Sequence, residues 1–282
     1  HRKKVRYQRS YIEPNNPLTI YKEQKKSGAL TFKENDTKTL NYIVSDIHKN
    51  TCLLSFTING KKPELLNPAT LRPKIDTVLK YADSTIFDKH NIIVTFPKGV
   101  LYNDLYLQYH EKPALKHTLT PVYQIHNGYT PIHNLIEVSI KVGRISEELR
   151  KKAVVIHIDQ NGAISSKNGE WRNNYLTAKS KTLGEFSVMV DTIAPIINPI
   201  NIYANKNMSG NSSIVCTISD KLSGIKTYRA EIDGKWVLMD YDGKSAKLTY
   251  LFDNLPNGEH HFKIEVTDFV DNKTVLEIPF IR

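Results

Sequence analysis

Cysteine is nearly absent: the 282 residues hold only Cys52 and Cys216. Their spacing fits no zinc or redox motif. Each lies in a strand-like alternation, Cys52 with Leu54 and Phe56, Cys216 with Ile214 and Ile218, so both read as small core hydrophobes. They fall in different expected modules, which argues against a disulfide between them, and a count of two does not fix the redox compartment. Long apolar runs are also missing. No stretch approaches the ~18 residues of a membrane-spanning helix. Helical patterning is scarce, and no glycine-rich phosphate loop, Gly-x-Ser-x-Gly elbow or His-Glu-x-x-His pair occurs, which removes the sequence signatures of nucleotide-binding enzymes, α/β-hydrolases and common zinc proteases.

What is present is the composition of a folded, water-facing protein, 40% hydrophobic and 24% charged, with a net charge of +10. That length allows roughly two or three domains. Five of the 39 Lys and Arg residues lie between Arg2 and Arg9. Such a run binds polyanions when it is presented on a surface, but no interleaved aromatic platform accompanies it, so nucleic acid is not an expected partner. A basic surface equally suits an anionic cell envelope. The chain begins at His1 rather than Met, so any export signal would precede it.

The residues Asp191-Thr192-Ile193-Ala194-Pro195 divide the chain into stretches that each read as a β unit. Gly184 to Val190 alternates like a terminal strand, Ile196 to Pro199 starts a new extended segment, and Pro195 favours an extended, stiff joint. The expected architecture is all-β, a series of tandem immunoglobulin-like β-sandwich modules: residues 1–70, looking as though opening strands lie upstream, then 71–191, then 192–282. In the first module the expected strands are Leu18 to Tyr21, Ala29 to Phe32, Leu40 to Ser45 and Thr51 to Ile58. The second carries strands near Asn91 to Phe96, Leu105 to Tyr109, Leu135 to Ile140 and Ala153 to Ile158, with a short helix near Ile145 to Arg150 capped by Ser146. The third holds the clearest hairpin, Ala230 to Val237 around Asp233-Gly234, which suits a type I′ turn. An internal echo links the first and third modules: Val44-Ser-Asp46-Ile-His-Lys-Asn50 matches Val266-Thr-Asp268-Phe-Val-Asp-Asn272.

Candidate chemistry is thin. Among ten histidines, His260 and His261 are adjacent on an expected strand and should point to opposite faces. His157 and Asp159 could share a face, and His126 and His133 flank a loop without a third ligand. The carboxylates Asp220, Asp233, Asp240 and Asp242 offer the oxygen donors calcium requires, although turn chemistry accounts for them without an ion. Trp171 and Trp236 are the possible ligand-contact aromatics. Each could stack on a sugar or face a core.

Several short motifs together resemble one family. Arg6-Tyr-Gln-Arg9, Glu13-Pro-Asn-Asn16, Asp46-x-x-x-Asn50, Phe96-Pro-x-Gly99-x-Leu-Tyr102, Leu183-Gly-Glu-Phe186, Asp191-Thr-x-x-Pro195, Asp220-x-x-Ser-Gly-Ile225 and Ile232-Asp-Gly-x-Trp236 look like the region that follows the catalytic domain in large bacterial envelope proteins carrying a lysostaphin-type zinc metallopeptidase. That family holds zinc with His-x-x-x-Asp and His-x-His. None of the histidines here starts either pattern, so no catalytic, cofactor or metal residue carries over. The resemblance implies a non-catalytic accessory tail of a peptidoglycan endopeptidase in the periplasm or cell envelope. Zinc would be confined to an upstream catalytic domain, and the partners would be that domain and cell-wall or envelope components, glycan among them. The rival expectation is a free-standing adhesion or carbohydrate-binding protein.

Overall fold

A computed structural model describes residues 11–19, 30–62 and 74–282. The basic run Arg2 to Arg9 and the second half of the expected strand Leu18 to Tyr21 lie outside the described residues. Leu30 to Phe32 are irregular rather than a strand. The chain divides into two compact units, residues 1–75 and 76–282.

In the first unit, Thr37–Ser45 and Thr51–Asn59 form an antiparallel ribbon in register from Thr37↔Asn59 to Ser45↔Thr51. Its reversal is held by Asp46, whose Oδ1 accepts the N–H groups of His48 and Asn50, both at 2.9 Å, while Lys49 takes a positive φ. Cys52 is a correction to the sequence expectation. A two-stranded ribbon has two open faces and, among the described residues, no second sheet covers it, so Cys52 is exposed along with Ile43, Val44, Leu53 and Leu54.

The second unit contains two sandwiches. In the first, one five-stranded sheet has the spatial order Ile164–Asn168, Ala153–Ile158, Gly184–Val190, Val122–Ile125, Tyr109–Lys112, and the facing five-stranded sheet runs Glu170–Arg172, Tyr175–Ser180, Ile136–Lys141, Ile92–Phe96, Thr85–Lys89. Alternation builds the core between them. Ile92, Val94 and Phe96 point in, with Ile136, Val138 and Ile140 beside them, and meet Tyr123, Val155 and Phe186 from the opposite sheet. The expected helix forms at Glu147–Lys151, with Ser146 Oγ accepting the Leu149 N–H, acidic residues in its first turn and basic ones in its last.

The other sandwich packs the sheet Ile196–Pro199, Ser213–Ser219, Lys247–Leu251, Asp240–Asp242 against the sheet Lys206–Asn207, Lys273–Ile281, Glu259–Asp268, Ile225–Ile232, Lys235–Val237. Cys216 is fully buried in its core with Ile214, Phe262, Ile264 and Phe280, as its strand alternation requires. Asp233 and Gly234 both take positive φ, 51° and 72°, in the two-residue turn that pairs Ile232 with Lys235. The turn is braced from below. Asp233 Oδ1 accepts the His261 N–H, and its Oδ2 lies 2.7 Å from His260 Nδ1, while His260 Nε2 meets the Pro256 carbonyl at 2.8 Å. With an acceptor at each ring nitrogen, the His260 ring is satisfied only when both carry protons.

Two outcomes test this hairpin. No atom of the described residues crowds Gly234, so Gly234→Val isolates the cost of forcing a β-branched residue to positive φ. Denaturant unfolding should show about 1–2 kcal/mol lost. For the pair beneath it, burial lowers the His260 pKa, but the hydrogen bonds to Asp233 and Pro256 outweigh burial and leave it raised. Burial raises Asp233, and bonds from His260 and His261 leave it net lowered. A raised histidine contributes below its unfolded value and loses that contribution as pH climbs through the folded one; a lowered aspartate contributes above its unfolded value and loses it on acidification. The pair therefore stabilises most between about pH 4 and 6.5. Melting temperatures across pH should fall off on the alkaline side of that window in the wild type, and His260→Gln should remove that limb.

Candidate functional site

The strand Ala153–Ile158 has no exposed residue. Ala153 and Val155 face the core of their own sandwich, so the opposite face, Val154, Ile156 and Ile158, needs another cover. Val122 joins that face, and Val270 and Leu222 of the second sandwich pack against it. Both covering residues stand on loops whose shape is set by an aspartate. Asp220 Oδ1 accepts the N–H groups of Leu222 at 3.0 Å and Gly224 at 2.7 Å, and Asp268 Oδ1 accepts those of Val270 at 2.9 Å and Asn272 at 2.7 Å.

Polar contacts close the same joint. Asp191, at the end of the first sandwich, accepts the Ser223 N–H on Oδ2 at 2.9 Å and the Ile193 N–H on Oδ1 at 3.2 Å. Asn272 Nδ2 donates to the Asp191 carbonyl at 2.9 Å and to Asp268 Oδ2 at 2.7 Å. Lys152 Nζ caps the Val270 carbonyl at 2.7 Å. As a result, carboxylate oxygens of Asp191, Asp220 and Asp268 come within 4.8 Å of one another. Of the carboxylates singled out from sequence, only Asp220 belongs here: Asp233 braces its hairpin, Asp242 accepts the Ser245 hydroxyl and Lys244 N–H in its own turn, and Asp240 opens a short edge strand. Asp191 and Asp268 escaped the sequence search because each reads as a linker or turn residue. Their shared signal was the pair of motifs Asp191-Thr-x-x-Pro195 and Asp268-x-x-x-Asn272, far apart in sequence.

The two tryptophans differ. Trp171 is half-buried, its indole N–H donates to the Arg150 carbonyl at 2.8 Å, and the Arg150 guanidinium lies 3.9 Å over its ring. Trp236 is 57% exposed. It borders a groove of about 490 Å³ with Leu238, Asp240, Tyr250, Leu251 and Asp253. Apolar faces and carboxylates are thus combined at one edge of the second sandwich, a mixture that suits a polyhydroxylated ligand.

The histidine pairs noted in sequence are redistributed. His133 stacks on Tyr102, with ring centroids 3.5 Å apart. His126 instead shares with His157, Gln124, Asp159 and Glu185 the lining of a cavity of about 300 Å³. His157 Nε2 donates to the Leu183 carbonyl at 3.0 Å, and burial lowers the pKa of both His126 and His157, which keeps them neutral. Asp159 is spent on a turn, accepting the N–H groups of Asn161 and Ala163. Burial pushes the Cys216 thiol up to about 11, so it is no nucleophile at neutral pH.

Comparison with known proteins adds a family over part of the chain. Residues 76–191 match the Zu5-like domain family, a span that covers the first sandwich and ends on Asp191. The uncharacterized protein YvnB of Bacillus subtilis (strain 168) is 32% identical over 113 residues, which are 40% of this chain but only 8% of that protein. Among solved structures, fibronectin(III)-like modules of Clostridium thermocellum CbhA share 17% identity at a TM-score of 0.26, covering 52% of this chain and 85% of theirs. A polysaccharide lyase shares 12% identity at 0.22, over 86% of this chain and 39% of its own. Scores at that level describe no common whole-chain geometry. The all-β sandwich assignment stands on the strands and their pairing.

Asn272 is the polar hub of the joint, since its side-chain amide serves both sandwiches. Asn272→Ala strands the Asp191 carbonyl and one Asp268 oxygen without that donor. Denaturant unfolding should register a loss of about 1–3 kcal/mol, and hydrogen exchange should quicken at the Asp220 and Asp268 loops before the sandwich cores.

Proposed function

We propose that this chain is a non-catalytic accessory region of a larger cell-envelope protein, in which the two sandwiches of residues 76–282 act as one stiff spacer. The observation that carries the reading is the doubly buried strand Ala153–Ile158, which turns the junction of the sandwiches into a small shared core. A flexible linker would leave that outer face to water. Burying one aliphatic side chain contributes roughly 1.5–3 kcal/mol, so Val270 and Leu222 together hold the joint closed against ordinary thermal bending. The sequence resemblance to the tails of lysostaphin-type endopeptidases supports placing such a spacer beside a peptidoglycan hydrolase, with zinc chemistry supplied by that other domain and not by His1 to Arg282.

A distance measurement tests stiffness. Nitroxides on Lys98→Cys and Lys244→Cys, in a Cys52→Ser background, should give one narrow distribution by pulsed electron resonance. Val270→Asp places a carboxylate in the apolar joint at a cost of about 2–4 kcal/mol, and should broaden the distribution while both sandwiches stay folded. A broad distribution in the parent protein would sink the spacer reading. Purified protein should release no muropeptides from cell walls.

A second reading has its own support in the exposure of Trp236 beside the groove of about 490 Å³. In that case the tail binds envelope glycan. Soluble peptidoglycan glycan fragments should then quench Trp236 fluorescence, and Trp236→Ala should abolish the response, whereas fragments that leave the fluorescence unchanged would leave the groove without that role.

A further inference from the structure

We propose that Asp191, Asp220 and Asp268 bind one divalent cation of the calcium class at the joint between the two sandwiches. Turn chemistry explains why each aspartate is present, since each accepts local backbone N–H groups. It does not explain why three such turns, from three distant parts of the chain, bring their carboxylate oxygens within 4.8 Å of one another. Nor does any cation of the protein offset them: among the described residues no lysine, arginine or histidine forms an ion pair with any of the three. Lys152, the amine at the joint, is occupied by the Val270 carbonyl, and Lys226 pairs with Asp271. Three like charges this close repel one another unless something of opposite sign stands among them.

An independent observation points to a ligand. Ser223 is 4% exposed, and its hydroxyl oxygen is buried with no hydrogen-bond partner among the described residues. The residue is clamped into the cluster: its own N–H is bonded to Asp191, and the residues on either side, Leu222 and Gly224, donate to Asp220. A hydroxyl left orphaned in such a place costs free energy unless a group is there to receive its lone pairs or its proton. A cation held among the carboxylates would accept those lone pairs.

The donor set selects the kind of ion. Every candidate ligand is an oxygen, with no imidazole or thiolate, which disfavours zinc, copper and nickel. Two oxygens bound to one calcium at about 2.3–2.6 Å can stand at most about 4.6–5.2 Å apart, whereas magnesium, at about 2.0–2.1 Å, would need them within about 4.2 Å. These oxygens lie within 4.8 Å of one another, inside the span calcium bridges, and three protein carboxylates on loops are the oxygen-rich set calcium takes, where magnesium is usually held by one or two. Asp220, only half-buried, has one oxygen, Oδ2, that no described residue donates to, while Asp268 is fully buried; the site thus has an inner wall and an open side through which water completes the shell. The ion would tie Asp191 of the first sandwich to two loops of the second. Ion binding depends on the cluster alone and is separable from the stiffness of the joint.

Isothermal titration of the full chain with calcium, after chelation and dialysis, should show one site with a Kd between about 10⁻⁵ and 10⁻³ M, and calcium should raise the melting temperature by several degrees. Asp220→Asn keeps an oxygen for the Leu222 and Gly224 N–H groups but removes a charge from the cluster. It should weaken binding at least tenfold without lowering the calcium-free melting temperature, which relief of the repulsion should if anything raise. Asp242→Asn, in a separate exposed turn, should bind as the parent does. Absence of calorimetric heat and of any melting shift at saturating calcium would overturn the proposal, as would undiminished binding by Asp220→Asn, which would place the ion elsewhere. Magnesium binding as tight as calcium's would overturn the assignment to calcium.

Discussion

The arrangement of residues 76–282 depends on one strand that must be covered twice. Ala153–Ile158 reads Ala-Val-Val-Ile-His-Ile, without the polar alternation of a strand that faces water on one side, and every residue in it is buried. Its inner face completes the core of the first sandwich. Its outer face would expose Val154, Ile156 and Ile158 unless another element lay over them, and the loops carrying Leu222 and Val270 do so. Because those loops belong to the second sandwich, the requirement of one strand settles where the second sandwich must sit. The hydrogen bonds through Asp191, Asn272 and Lys152 then fix the fit that burial demands.

The loops themselves share a device. An aspartate accepts the N–H groups of residues two and four positions on, and a residue or glycine with positive φ completes the reversal. Asp46, Asp159, Asp220 and Asp268 all do this, with Lys49, Gly162, Gly224 and Asp271 at positive φ. The internal echo between Val44 to Asn50 and Val266 to Asn272 is therefore a true repeat of geometry: in both, the terminal Asn donates its side-chain amide back to the aspartate, at 2.8 and 2.7 Å. What differs is the surroundings. Ile47 and its neighbours on the first ribbon stand exposed, whereas Val270 in the second is buried against Ala153–Ile158. The same local turn serves as a bare reversal in one place and as a docking knob in the other.

The candidate functional residues divide along the same line. Trp171 is absorbed by Arg150, which satisfies its N–H and covers its ring. Trp236 directly follows a tight hairpin on an edge strand, so its ring is left at the rim of a groove. His126 and His133, at the two ends of one loop, go to different environments: one lines the cavity with His157 while the other stacks on Tyr102. The Zu5-like match over residues 76–191 bounds the first sandwich, and the 8% share of YvnB places the matched segment within a far longer relative.

Much of the secondary structure was legible from side-chain alternation and turn residues alone. Ala153 to Ile158, Gly184 to Val190 and Ile196 to Pro199 have the bounds their patterns imply, the Ser146 cap starts the helix, and Asp233-Gly234 makes the expected turn, because these features depend on neighbours a few residues away. Burial was legible only where a second sheet arrives. Cys52 and Cys216 have equivalent alternating contexts, yet one is exposed and the other fully buried, since alternation marks a face as apolar without saying whether anything covers it. The carboxylate cluster lay beyond sequence reading for the same reason. Each of Asp191, Asp220 and Asp268 is explained locally by its own turn, and their convergence comes from the long-range packing of the strand Ala153–Ile158 against Leu222 and Val270. The sequence by itself determined most of the strands, the turns and the all-β character, all set by local sterics and periodicity; tertiary structure alone decided which faces meet and which charges share a site, because those follow from burying surface contributed by residues far apart in the chain.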